Sequence, residues 1–459
     1  IIGHDSGFRL NYLDHLINLF YSWNPIQNFG TDWGILKGFL VVQFPETFLS
    51  LLFGSLQSGQ KASFVLWFFV MGISMYLFIK NFFYQREFWI FRLFSSLFYM
   101  YNFFILQAWF IAERAKFSLI AALPLGILII YKTFSKEYPL AKGVILFSLL
   151  SFFLNGGGSP PLYGSLILVY STTFLFLTII NVKNNGVKEI FFSVKTAFTF
   201  LLGFLAINSY FVLPHLYGVL NKYDSMLSSI GGISGIIAWE NAINKFASFL
   251  NLLRLQGIPD WYDNPIHSYS NFFLENPFLV ILSFLPILII VLGLLFYQKF
   301  NYSKWQNILF YQVFLVFIIG LIFAGGSHPP LGFLYIFLVE HLPGFAIFRS
   351  AFYKFGPTVW FSTIFLTGFF INFFIFKYVK FSFWQKILGI LAVLFVLLYH
   401  FPFFTINFFE FNKPFTSKVT VPSYVIDVTT YLNKSQSDMR ILLLPKLDSI
   451  FRIDGYNWG

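Results

Sequence analysis

Long apolar runs alternate with short polar connectors from one end of the chain to the other. Ten of these runs approach the ~20 residues that a helix needs to cross the hydrocarbon core of a bilayer. They cover residues 61–80, 88–110, 117–134, 143–155, 161–181, 190–213, 277–297, 305–324, 356–376 and 385–402. The sequence lacks the polar–apolar alternation of membrane β-barrel strands. The pattern therefore predicts an all-α polytopic membrane protein with about 10 spans.

Basic residues in the connectors collect on one side of the predicted bundle if the spans simply alternate. Five connectors contribute to that side, with residues that include Lys80, Lys132, Lys183, Lys299 and Lys377. Because cytoplasmic loops are enriched in Lys and Arg, we expect this side to be cytoplasmic. The expected location is the cytoplasmic membrane of a prokaryote, with the longer connectors on the outer face.

The segments predicted to be external divide the chain into regions and contain short helices of their own. The predicted regions are a first external loop at 1–60, a transmembrane core at 61–402 with external loops at 214–276 and 325–355, and an external region at 403–459. Amphipathic patterns in the outer segments predict short helices lying in the bilayer interface. These helices are expected at 10–23, 44–56, 240–255 and 330–348.

The two ends of the chain suggest a fragment of a longer protein. Residues 423–434 are typical of a polar helix and Arg440 to Leu444 of a strand, so we expect 403–459 to begin a soluble α/β domain. The chain starts without Met and stops at Trp-Gly. We therefore expect a first spanning helix upstream of residue 1.

Composition narrows the functional class. Only 11% of the residues are charged and 57% are hydrophobic, whereas a soluble domain carries roughly 25% charged residues. The chain has no Cys, which excludes disulfide and thiolate chemistry. The net charge of +11 follows from the basic connectors, so we predict lipid partners and no nucleic acid.

Candidate acidic residues lie in the first external loop. Asp5 follows the expected upstream helix and could act as a general base or a metal ligand, or it could be a solvated loop residue. Asp14, Asp32 and Glu46 are further acidic candidates for an acceptor site, as is Glu113 in a later outer segment. A divalent cation is compatible with these carboxylates, although no ligand set is defined and no other cofactor is indicated.

Two basic clusters also lie in outer segments. Glu113, Arg114 and Lys116 stand between two apolar runs, where charges are costly unless they face water or a cavity. Arg349 and Lys354 form a second cluster, in FRSAFYKFG. Arg can grip a phosphate with two donors, so both clusters are candidate sites for a donor phosphate, the alternative being ordinary loop charges.

Two further patterns leave alternatives open. Asp263 and His267, in WYDNPIHSY, have a spacing that fits metal ligands or a purely structural pair. GGGSPP at 156–161 and GGSHPP at 325–330 each follow a predicted span. They could be helix stops or part of a binding site.

The outer segments resemble a known group of enzymes. GHDS, LFYSWNPIQNFG and FPETF in the first loop, PGFAIFRSAFYKFGP near 343–357, and the tail VPSYVIDVTTYL with RILLLP and YNWG carry the resemblance. On these stretches the chain resembles the membrane domain of the α-(1→3)-arabinofuranosyltransferases, within the superfamily C glycosyltransferases. It is also similar to YfhO-like membrane proteins, which are implicated in glycosylating envelope polymers.

The resemblance implies a polytopic enzyme that transfers a sugar from a polyprenyl-phosphate donor to an envelope glycan or lipid acceptor. It implies Asp5 as the catalytic base and places Arg349 and Lys354 in the family's basic outer segment. Two rivals remain open: a flippase or transporter of lipid-linked sugars, and a noncatalytic envelope-assembly protein. A transporter would favour ionisable residues and broken helices near the bilayer midplane.

Overall fold

The computed structural model describes residues 12–24, 31–32, 34–107, 114–229, 231–262, 269–297, 302–405 and 423–434. Almost all of these residues are helical. In this part of the chain the β structure is a pair of two-residue antiparallel strands, β1 (Trp23–Asn24) and β2 (Thr31–Asp32), with Trp23 opposite Asp32.

The helices follow one another with short connections. In the first half of the chain they are α1 (Tyr12–Asn18), α2 (Phe39–Leu52), α3 (Leu56–Phe82), α4 (Trp89–Met100), α5 (Phe103–Gln107), α6 (Arg114–Phe134), α7 (Leu140–Phe153), α8 (Gly164–Asn185), α9 (Glu189–Ile207) and α10 (Ser209–Ser229). Short 3-10 helices lie at Gly34–Gly38, Arg86–Phe88, Gly156–Gly158 and Pro160–Tyr163.

The second half of the chain has shorter helices before its long spans. They are α11 (Gly232–Ile243), α12 (Phe249–Leu253), α13 (Pro259–Tyr262), α14 (Ser270–Glu275), α15 (Pro277–Ser283), α16 (Leu285–Leu295), α17 (Lys304–Ala324), α18 (Gly332–His341), α19 (Ala351–Tyr378), α20 (Ser382–Tyr399) and α21 (Ser423–Lys434). Two more 3-10 helices lie at Phe345–Phe348 and Phe401–Phe404.

The prediction of an α-helical polytopic membrane protein is confirmed. Among the described residues, 8 helices are long and apolar enough to cross a membrane, or 9 if the bent pair α15–α16 forms one span. The one remaining predicted span, 143–155, corresponds to α7, which has only 14 residues. At 1.5 Å per residue α7 extends about 21 Å, less than the ~30 Å hydrocarbon core. The segment after α7 returns to the first turns of α6, where the Gly156 amide donates to the Ser118 hydroxyl at 3.0 Å, so α7 runs antiparallel to α6 as a short helix.

The long helix α19 forms the centre of the bundle, with α4, α8, α16 and α17 packed around it. Its middle is fully buried and rich in aromatic rings, including Trp360, Phe361 and Phe365. Phe91 of α4 meets Phe365 edge to face, with ring centroids 5.1 Å apart. Helices in a bilayer associate through close packing rather than hydrophobic exclusion from water, and edge-to-face rings provide such contacts.

Opposite ends of the bundle differ in charge. At one end lie Lys80, Lys132 and Lys377, in the last turns of α3, α6 and α19. Here the Gln306 side chain of α17 donates to the Phe82 carbonyl at 3.0 Å. We call this the basic end. The opposite end, where α6 and α19 begin and α20 finishes, is called the loop end.

Short helices were correctly expected in several of the segments predicted to be external, with different bounds. α1, α2 and α18 lie within or across the predicted segments 10–23, 44–56 and 330–348. The predicted helix at 240–255 is instead two helices, α11 and α12. They are separated because Asn244 ends α11 in a turn, where the Ala247 amide donates to its carbonyl at 2.8 Å.

The tail is described only in part. α21 covers the residues predicted to be helical, 423–434. The predicted strand at 440–444 lies outside the described residues, and the soluble α/β domain stays a prediction.

Candidate functional site at the loop end

Helix α2 places a carboxylate inside the bundle. Its polar residues Gln43, Glu46 and Ser50 are buried, whereas the apolar rings of Phe44 and Phe48 are more than half exposed. A helix with its polar face inward and its apolar face outward suits contact with lipid. Glu46 is therefore turned toward α6 and away from the bilayer.

Glu46 and Arg114 form a buried ion pair between α2 and the first residue of α6. Both side chains are almost fully buried. Removing one partner of such a pair typically costs about 3–5 kcal/mol, because the other charge stays buried. The candidate acceptor carboxylate and one candidate phosphate ligand thus compensate each other's charge.

Lys116 brings the first basic cluster to the second. Its side chain is 6% exposed, and its ammonium lies 5.1 Å from the centroid of the Tyr353 ring. Tyr353 precedes Lys354 in the first turn of α19, and the Ser165 hydroxyl of α8 donates to the Lys354 carbonyl at 2.6 Å. The beginnings of α6, α8 and α19 therefore bring together two basic segments that are far apart in sequence.

The space beside Lys116 is small. A cavity of about 10 Å³ is lined there by residues that include Lys116, Ser165, Tyr353 and Pro357. Such a volume holds about one water molecule. A phosphate can enter this junction only if one of its walls moves.

A second cluster is centred on Glu240 of α11. The Glu240 carboxylate accepts hydrogen bonds from the backbone amides of Ser350, at 2.5 Å, and Ala351, at 3.2 Å. The Asn244 side chain donates to the same carboxylate and accepts from the Phe352 amide at 3.3 Å. Together these groups satisfy the amides that open the first turn of α19, as an N-cap does.

Burial alters the acidity of Glu240. Desolvation raises the pKa of its carboxyl to about 7, against the opposing effect of hydrogen bonds from the Ser350 and Ala351 amides and the Asn244 side chain. Burial disfavours the charged form more than these donors stabilise it. Glu240 therefore changes protonation near neutral pH.

Neighbouring α11 residues fix the Arg349–Ser350 turn. Ser350 has φ +68°, an uncommon left-handed conformation for a residue with a side chain. The Trp239 indole donates to the Ser350 hydroxyl at 2.9 Å. The Arg349 guanidinium lies 5.7 Å from the centroid of the same indole ring, within cation–π range. The second basic cluster is thus held by α11.

The GGSHPP segment supports this cluster from the other side. The His328 imidazole Nε2 lies 2.5 Å from the Asn244 carbonyl oxygen and 3.0 Å from that of Lys245, so it donates to the end of α11. Gly326 has φ +53°, and a Cβ atom there would collide with the Glu240 carboxylate. The segment therefore packs against Glu240 as well as ending α17.

The related GGGSPP segment joins other elements. The Asn155 amide donates to the Gly38 carbonyl at 3.0 Å and to the Tyr210 hydroxyl at 2.8 Å. A Cβ atom on Gly38 would collide with the backbone of Gly157 and Gly158. This segment locks the chain before α2 against α6 and α10.

The structure places the remaining candidates separately. Asp14 is exposed on α1, which packs on α2. Asp32 belongs to strand β2. Several candidates lie outside the described residues: Asp5, Glu113, Asp263 and His267. Among the described residues, no group of three or more His, Asp or Glu side chains is arranged to hold a metal ion.

Sequence reasoning missed Glu240, Trp239 and Asn244. The sequence GISGIIAWENAI contains a single carboxylate, Glu240, in an apolar helix. A lone carboxylate among apolar residues was the signal that could have identified it. Comparison with known proteins adds nothing further, because no protein family, curated protein or solved structure matches the chain.

Proposed function

We propose that this chain is an integral-membrane glycosyltransferase that takes a sugar from a polyprenyl-phosphate donor. The acceptor is a glycan or lipid of the cell envelope, and arabinofuranose is the first sugar to test. The supporting observation is the junction of Lys116 with Tyr353, next to Lys354. Negative charge grows on the leaving phosphate during transfer, so cations positioned there would stabilise the transition state.

The proposed roles follow from this junction. Lys116, Lys354 and Arg349 bind the donor phosphate at the loop end, which faces the outside of a prokaryotic cytoplasmic membrane. Asp5 removes the proton from the acceptor hydroxyl. The acceptor oxygen bonds to the anomeric carbon as the bond from that carbon to the phosphate oxygen breaks, releasing polyprenyl phosphate. Arg114 positions the start of α6 through Glu46.

Donor binding requires the junction to open. Its cavity of about 10 Å³ is far smaller than a phosphate-linked sugar. Moving the Tyr353 ring away from Lys116 would expose the ammonium and enlarge this space. The cation–π contact it replaces is worth only about 0.5–2 kcal/mol, which donor binding can offset.

The test is sugar transfer in proteoliposomes with radiolabelled polyprenyl-phosphate sugars. Transfer by the unmodified protein should fall at least about a hundredfold in Asp5→Asn, the usual scale for loss of a general base. Lys354→Gln should slow transfer about tenfold or more. The matched control is Lys386→Gln, on α20 near the basic end, which should transfer sugar at the unmodified rate.

Two results would reject the proposal. One is the absence of transfer with every donor while the protein remains folded. The other is equal loss of transfer in Lys354→Gln and Lys386→Gln, which would indicate a general effect of charge. Unchanged transfer in Asp5→Asn would reject Asp5 as the base and direct attention to Asp14 and Asp32, because Glu46 is buried in its ion pair with Arg114.

A lipid-linked sugar flippase is the second candidate. The observation that favours it is the bent pair α15–α16, whose axes differ by 40° across Phe284. Broken helices of this kind occur in transporters. Movement of a labelled lipid-linked sugar across the proteoliposome membrane, without transfer to an acceptor, would support this function instead.

A further inference from the structure

A second, larger cavity lies between α16, α20 and the central helix α19. Its volume is about 310 Å³, and none of its lining residues belongs to the clusters described above. The lining is mainly apolar and includes Phe98, Ile289 and Phe395. Pockets that bind small ligands usually measure ~300–1,000 Å³, so this cavity has room for part of a lipid chain.

Most polar groups of this cavity gather toward one end, and the exception, Thr367 inside α19, donates its hydroxyl to the Thr363 carbonyl at 2.7 Å. Arg254, Ser283, Tyr399 and His400 line it at the loop end, where α20 finishes. The lining continues along α20 to Leu391, about 12 Å away at 1.5 Å per residue. The cavity is therefore mainly polar at the loop end and mainly apolar toward the middle of the bundle. This distribution matches a lipid, which has a polar headgroup and apolar acyl chains.

Arg254 supplies a positive charge with one unused donor. Its Nε donates to the Ser283 hydroxyl at 2.6 Å, and its Nη1 lies 3.4 Å from the Asn251 side-chain oxygen. Within the described part of the chain, its buried Nη2 has no hydrogen-bond partner. No carboxylate lines the cavity. A buried donor without a partner is costly, so the site favours an anion.

Several contacts hold Arg254 in position. It follows α12 directly, and the Gln107 side chain binds the next loop by accepting from the amides of Gly257, at 3.0 Å, and Ile258, at 3.2 Å. The guanidinium also lies 5.2 Å from the centroid of the Phe284 ring, at the bend between α15 and α16. Because these contacts already order the Arg254 side chain, binding a ligand costs little further conformational entropy.

His400 is a second unsatisfied polar group in the same lining. Its side chain is 2% exposed, and its Nδ1 lies 2.8 Å from the Val396 carbonyl, to which it donates. Burial favours the neutral ring, which leaves Nε2 as an acceptor. Among the described residues Nε2 has no partner. A ligand with a hydroxyl group would satisfy it.

We propose that this cavity binds a phosphatidylglycerol-type lipid from the surrounding bilayer. The lipid phosphate binds Arg254, a headgroup hydroxyl donates to His400, and one acyl chain fills the apolar part. Arg matches the geometry of a phosphate. Leu288 of α16 and Leu398 of α20 are exposed toward the bilayer, so lipid is available on both sides of the cavity. The site is independent of the proposed glycosyltransferase activity.

Native mass spectrometry of the full chain tests this site. The protein is titrated with dioleoylphosphatidylglycerol, with dioleoylphosphatidylcholine, and with inorganic phosphate. We expect one saturable phosphatidylglycerol adduct, bound at least about tenfold more tightly than phosphatidylcholine, whose headgroup has no net charge and no hydroxyl. Inorganic phosphate should not displace the lipid, because it cannot fill the apolar part of the cavity.

Two variants test the contact with the lipid headgroup and the contact with the acyl chain separately. Arg254→Gln should weaken phosphatidylglycerol binding about tenfold, since it removes a charge-assisted bond. Ala392→Trp, which fills the cavity from α20, should abolish the adduct. The matched control is Leu394→Trp on the exposed face of α20, which should bind as the unmodified chain does. Equal binding of both lipids, or unchanged binding in Arg254→Gln and Ala392→Trp, would overturn the proposal.

Discussion

Glu46 and Glu240 show how this protein accommodates buried carboxylates in two ways. Glu46 has a cationic partner, Arg114, and the two charges compensate each other. Glu240 is held by backbone amides and the Asn244 side chain rather than by a full positive charge. Dipolar donors offset burial less completely than a cation does. The Glu240 carboxyl therefore changes its protonation state near neutral pH.

We predict that Glu240 makes stability fall between about pH 4.5 and 7. Its folded pKa of about 7 exceeds the ordinary value of 4.5, so the unfolded chain ionises first and the folded state loses stability as pH rises. The loss is on the order of 3 kcal/mol at most. Thermal unfolding of Glu240→Gln, followed by intrinsic fluorescence in detergent, should lack this part of the pH dependence.

Glu340→Gln is the matched control, because Glu340 is exposed on α18. Its unfolding temperature should follow the pH dependence of the unmodified chain. If Glu240→Gln also follows that dependence, Glu240 does not titrate in this range and the proposed effect of burial is wrong.

At the scale of elements, the contact between α11 and α19 organises the loop end. α11 supplies Glu240, Asn244 and Trp239 to the first turn of α19, and the segment after α17 packs beneath them. This arrangement depends on Gly326, which has φ +53° and lies against the Glu240 carboxylate. A single methyl group is therefore enough to disturb it.

Gly326→Ala should destabilise the protein by about 2 kcal/mol or more. The left-handed backbone conformation contributes about 1–2 kcal/mol, and displacement of Glu240 adds to it. Gly218→Ala is the control, because Gly218 lies inside α10 where an added Cβ atom would meet no neighbouring atom within 4 Å, and alanine favours helix. Unfolding temperatures should fall for Gly326→Ala alone. Equal temperatures for both variants would contradict the role of Gly326.

For the whole molecule, the alternation of the spans separates two chemically different ends. Long helices finish with lysines at the basic end, while the ion pair and the Glu240 cluster lie at the loop end. Lipid-facing helices such as α9 and α20 are largely exposed on their outer surfaces. The positive-inside rule then predicts which end faces the cytoplasm.

Single cysteines can test this orientation, because the chain has none of its own. Glu340→Cys marks the loop end and Lys183→Cys the basic end, and both positions are exposed. In intact cells a membrane-impermeant maleimide should label Glu340→Cys, and Lys183→Cys should react only after permeabilisation. The reverse pattern would place the loop end in the cytoplasm and exclude an outer-face active site.

Local sequence pattern predicted much of the architecture. Apolar runs indicated every long span within the described residues, because a bilayer demands a continuous apolar helix whatever its neighbours are. The run at 143–155 is helical as expected, but only the structure shows that α7 has 14 residues and is shorter than the other spans. The split between α11 and α12 was also missed, because the Asn244 turn depends on contacts with α19.

The sequence by itself determined the class of protein, the positions of its spans and the collection of polar segments at one end, because those features follow from the solubility of local segments in lipid and water. It supplied Lys116, Arg349 and Lys354 as candidates but not their arrangement. Tertiary structure alone decided that Glu46 pairs with Arg114, that Glu240 caps α19, and that Arg254 and His400 share a cavity. Those contacts join residues from different helices, and the free energy of burying a charge depends on which partner the fold brings to it.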